Sequence, residues 1–85
     1  MVAAFHYGHT TAQAGQQLDK GIAYLNQYLI YTPKPNEPSL SNANLDLGMI
    51  YEKKGDHQKA KNYYLASLKL EPGMREAKDG LERVE

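Results

Sequence analysis

The stretch Leu47-Gly48-Met49-Ile50-Tyr51-Glu52-Lys53-Lys54-Gly55-Asp56-His57-Gln58-Lys59-Ala60-Lys61-Asn62-Tyr63-Tyr64 decides the fold. Before it, Leu40, Ala43, Leu47, Ile50 and Tyr51 fall on one stripe at helical spacing. Gly55 then breaks the pattern, and Asp56 is a good N-cap for a second helix. Ala60, Tyr63, Tyr64, Ser67 and Leu68 form that helix's inward face, Leu70 closes it, and Pro72-Gly73 ends it. Gly48 and Ala60 are small enough for two helices to approach closely, and Tyr51 and Tyr64 fill the space beside them.

Working outward, the breaks at Gly15, Pro33 to Pro38, Gly55 and Pro72-Gly73 divide the chain into five helical segments. They cover about residues 2–14, 17–31, 39–54, 57–70 and 74–84, and none alternates as a half-buried strand does. The last segment has a narrow stripe of Met74, Ala77, Leu81 and Val84 under a charged surface, as a capping helix requires. The two halves echo each other. Gly8 and Gly48 are forty residues apart, as are Gly15 and Gly55. Leu25 and Tyr64 are thirty-nine apart, as are Pro33 and Pro72. A near-constant shift implies one two-helix unit used twice.

Leu47-Gly48-x-x-Tyr51, Ala60-x-x-x-Tyr64 and Pro72 resemble the tetratricopeptide repeat family, whose 34-residue period fits Ser41 to Met74. The first unit departs from that pattern, with Tyr7 for leucine, Thr11 for the first aromatic, Gly21 for alanine and Leu25 for the second aromatic. Asn44 stands where an opening aromatic is usual. The expected architecture is all-α, an α-solenoid fragment of two antiparallel helix pairs plus a C-terminal capping helix. One domain spans residues 1–85, with a degenerate repeat at 1–33, a Pro-rich link at 34–40, a well-matched repeat at 41–74 and a cap at 75–85.

The resemblance implies a scaffold that binds a peptide or protein on its concave face. Carried over position by position, that face holds Val2, Phe5, His6, His9, Ala12 and Gln13 from the first unit. The second unit supplies Asn42, Leu45, Asp46, Met49, Glu52 and Lys53. Leu45 and Met49 lie opposite their helix's main stripe, which suits a groove position. The plainer alternative is that they are ordinary exposed apolar residues. Some family members clamp a chaperone's terminal carboxylate with basic groove residues. Phe5, His9 and Asp46 occupy the corresponding places here, so no such clamp is expected.

The second segment is apolar on more than one face, through Ile22, Tyr24, Leu25, Tyr28, Leu29, Ile30 and Tyr31. Ile22, Tyr24, Tyr28, Ile30 and Tyr31 are therefore candidates for self-association. The alternative function is a homo-oligomeric assembly unit, formed through the first unit or by helix exchange across the Pro-rich link.

Composition narrows the function classes. Ten basic and ten acidic side chains give zero net charge, which argues against nucleic acid as the main partner. Cysteine is absent, so no disulfide or thiolate chemistry is available. No stretch approaches the roughly 20 apolar residues that span a bilayer. Residues 1–7 have neither a basic region nor a long apolar run, so no secretory signal is expected, and the expected compartment is the cytoplasm. No cofactor is expected. His6 and His9 share a face and, with Asp46, could make part of a metal site, but no zinc-binding signature accompanies them. His57 reads as a helix-start residue. Ser39, Ser41 and Ser67 lie in no nucleophile motif, and Asp46 and Glu52 point to different helix sides, so no enzyme is expected.

Overall fold

A computed structural model describes His9, residues 18–30, Glu37 and residues 39–85. Four helices lie in the long stretches: α1 (Leu18–Leu29), α2 (Leu40–Lys54), α3 (His57–Leu70) and α4 (Arg75–Val84). Among the described residues there is no strand, so the fold is all-α. The segment expected at 2–14 lies outside them apart from His9, which is helical.

The helix ends follow local chemistry. Ser39 caps α2, its hydroxyl accepting from the Asn42 amide at 3.2 Å. At the other end Gly55 takes φ 82°, the left-handed conformation that lets the chain leave a helix without a Cβ clash. One residue on, the Asp56 carboxylate accepts from the Lys59 amide at 3.2 Å and opens α3. This two-residue connection turns α3 back along α2. The pairing Ser41 to Ser67, Gly48 to Tyr64 and Tyr51 to Tyr63 shows that the two helices run antiparallel.

Two cores result. Leu25 and Tyr28 of α1 pack with Ala43, Leu47 and Ile50 of α2. Leu45 of α2, Ala60 and Tyr64 of α3, and Met74, Ala77 and Val84 form the second. Met49 and Tyr51 touch both. The Tyr64 ring is the keystone of the second core. It lies between Gly48 and Gly80, and a Cβ added at either would come within 2.7 Å or 2.4 Å of the ring. Fully burying a side chain of this kind contributes about 1.5–3 kcal/mol. Leu70 closes α3 as expected, and its side chain is 57% exposed.

The N-terminal side of α2 is tied down by hydroxyls. Ser67 Oγ donates to the Ser41 carbonyl at 2.8 Å, and Ser41 Oγ donates to Glu71 at 2.9 Å. Among the described residues no buried side-chain polar atom lacks a partner. Nor is any of their helices long and apolar enough to cross a membrane.

Candidate functional site

The α2 stripe running through Asn42, Leu45, Asp46, Met49, Glu52 and Lys53 is the candidate partner surface. Its six residues have different fates. Asn42 and Met49 are half-buried and Lys53 is exposed. Leu45 is 7% exposed and packs under α4 in the second core, so it does not line an open groove. The apolar face opposite the α2 main stripe serves α4. Asp46 is also enclosed, at 1% exposure.

Asp46 carries the longest-range contact of the stripe. Its Oδ2 lies 2.7 Å from His9 Nδ1, and the His9 side chain is 40% exposed. With the carboxylate ionised, Nδ1 is the donor. Burial pushes the Asp46 carboxyl above the ordinary aspartate range, against the opposing pull of the His9 hydrogen bond. The pair inferred from sequence as part of a metal site is thus a hydrogen-bonded pair. Among the described residues no three His, Asp or Glu side chains gather as metal ligands would. Asp46, buried and bonded to imidazole, therefore presents no open carboxylate at its expected groove position.

Glu52 is engaged differently. Arg83 of α4 donates Nε to Oε2 at 2.9 Å and Nη2 to Oε1 at 3.2 Å. The Tyr64 hydroxyl donates to Oε1 at 2.7 Å. Burial alone would raise the Glu52 pKa, but the Arg83 and Tyr64 hydrogen bonds outweigh it and hold the carboxyl below its usual range. Tyr64 is raised, by burial first and then by the Glu52 carboxylate. Glu52 therefore joins α2, α3 and α4. Arg83 was hidden in the sequence among the charges of the last segment. Its spacing from Ala77 and Leu81 places it on a helix flank, and nothing local points to Glu52.

Phe5, His6, Gln13 and Tyr31 lie outside the described residues, as do Val2 and Ala12. Among the self-association candidates, Tyr28 is fully buried in the α1–α2 core and Ile22 is half-buried against it. Both face their own fold, because α2 covers the α1 side that looked uncovered. Tyr24 is 38% exposed and Ile30 is 87% exposed.

Two antiparallel helices joined by a tight turn and packed through Gly48 and Ala60 define a helical-hairpin repeat. Comparison with family models finds that residues 41–74 match the tetratricopeptide repeat. Residues 41–74 therefore form a tetratricopeptide repeat, a unit typically used as a protein-interaction scaffold and not as an enzyme. Neither a curated protein nor a solved structure gives a match.

Proposed function

We propose that the chain is a protein–protein interaction module, which binds a peptide or protein segment along the stripe formed by Asn42, Met49 and Lys53. The observation that carries this reading is Met49, half-buried at the junction of the two cores. Half-buried Asn42 stands two turns before it and exposed Lys53 one turn after. An apolar anchor between polar side chains suits a short segment laid along a helix. One anchor contributes at most about 1.5–3 kcal/mol, and ordering the partner offsets part of it, so binding is weak. Peptide-library selection followed by titration tests this. Met49→Glu is expected to abolish binding with the helical content unchanged. Undiminished affinity in that variant would sink the reading.

A second reading is supported by Ile30, whose side chain projects beyond the end of α1 at 87% exposure. In it the chain self-associates through the outer face of α1, Tyr24 and Ile30 included. Light scattering after size exclusion decides between the two. A monomer at every concentration removes self-association, and a dimer dispersed by Ile30→Lys supports it.

A further inference from the structure

The turn between α2 and α3 has an electrostatic peculiarity that the fold does not explain. Lys53, Lys54, Lys59 and Lys61 fall within nine residues and are four of the chain's ten basic side chains. Asp56 is the one acid in that interval, and its carboxylate caps the Lys59 amide. Glu52, just before it, is held by Arg83 and Tyr64.

The helix dipole accounts for half of these lysines. Lys53 and Lys54 occupy the last turn of α2, where cations are favoured. Lys59 and Lys61 lie at the start of α3, where the same dipole opposes them, and the first turn of α3 contains no acid. The local structure disposes of little of the charge. Lys54 bonds Asp19 of α1 at an exposed site. Lys59 Nζ rests 5.3 Å from the centroid of the Tyr51 ring, which stacks on Tyr63 at 5.5 Å with the planes 2° apart. Lys53 is exposed and Lys61 half-buried, and neither forms an ion pair among the described residues. The result is a cationic pole around the turn, with two half-buried tyrosines beside it.

We propose that this pole is a second interaction surface, which docks an acidic segment of a partner protein. Charge complementarity selects the partner. Flexible lysines suit dispersed carboxylates. The pole contains no arginine, whose planar fork favours phosphate, and the chain as a whole has no positive excess to hold a polyanion. The surface shares Lys53 with the Asn42–Met49–Lys53 stripe, but Lys54, Lys59 and Lys61 lie beyond that stripe, around the turn and on α3.

The test is fluorescence anisotropy with a labelled Glu-rich peptide, acetylated and amidated so that it presents no terminal carboxylate. Titrations run at low salt and at about 0.15 M, where the Debye length is about 8 Å. The triple variant Lys53→Glu/Lys59→Glu/Lys61→Glu is compared with Lys69→Glu/Arg75→Glu/Lys78→Glu, which changes net charge equally at exposed sites away from the turn. Lys59→Glu places an acid in the first turn of α3, so the first variant should retain its fold, as circular dichroism checks. The expected result is affinity at least about tenfold weaker in the first variant and little changed in the second. Equal weakening in both, or no binding by the unaltered protein at low salt, overturns the proposal. So does tighter binding of an oligonucleotide or of anionic vesicles than of the peptide. Asn42→Ala, which changes no charge and lies about three turns from Lys53 on α2, leaves this binding intact and weakens binding along the stripe, which separates the failure of the two readings.

Discussion

Asp46 and Glu52 stand six residues apart on one helix, and their environments drive them in opposite directions. The Asp46 side chain is 2% exposed and its carboxyl is raised, while Glu52 is 26% exposed and is lowered. Depth of burial is half of the cause. The other half is the partner set, one imidazole for Asp46 against a two-pronged guanidinium and a phenol for Glu52. The joint toward α4 is therefore held by charge that favours an ionised acid. The joint toward His9 holds an acid that its surroundings disfavour when ionised. Two acids that both read as partner-facing positions in the sequence thus do different work.

The largest break in this comparison is Tyr64→Ala. It empties the space between Gly48 and Gly80 and removes a Glu52 partner, so thermal or urea unfolding should show a loss of about 3–5 kcal/mol. Gly80→Ala tests the same contact from the other side. Alanine is the better helix former by about 1 kcal/mol, yet its Cβ would lie 2.4 Å from a ring that Gly48 pins from behind. Overpacking should win, with a net loss of about 1–3 kcal/mol in chemical denaturation. A stabilised Gly80→Ala would show that the ring can move aside.

The repeat at 41–74 was legible because its signals are local: Gly48, Gly55, Asp56, Ala60 and Pro72 each state a backbone or packing requirement within a few residues. The surface was less legible. Leu45 fitted a groove position by spacing along α2, but its burial depends on where α4 lies, and α2 spacing does not contain that. Tyr28 looked surplus on α1 for the same reason, since α2 covers it. Asp46 looked exposed because an acid usually is. Arg83 looked solvated among six other charged residues between Arg75 and Glu85. Local periodicity assigns faces, and a third element decides which faces remain open.

Arg83→Met sharpens the comparison by leaving Glu52 with Tyr64 alone. Arg83 is partly solvent-exposed, so screening limits the loss to about 1 kcal/mol at neutral pH. The sign with pH follows from the lowered Glu52 pKa. The stabilisation is present above the ordinary glutamate value of 4.5 and disappears as pH falls through the lower folded-state value. Unfolding free energies of the two proteins should therefore differ at neutral pH and converge in acid. A constant difference across that range would assign the effect to lost packing by the arginine stem.

The smallest expected effect belongs to Asp46→Asn, and it has the opposite sign. The folded-state carboxyl is raised above 3.8, so any stabilisation it gives is complete below that value and is lost as pH rises through the raised one. At neutral pH the buried carboxylate is a cost, although the His9 hydrogen bond offsets part of it. Asparagine keeps an oxygen to accept from His9 Nδ1 and removes the charge. The variant should be more stable at neutral pH by about 1 kcal/mol or less, with the gain shrinking toward acid. Denaturation curves taken across that pH range measure the trend. Destabilisation at neutral pH would mean that the His9–Asp46 pair gains more from charge than burial takes away, and that both acids of α2 follow the rule that Glu52 obeys.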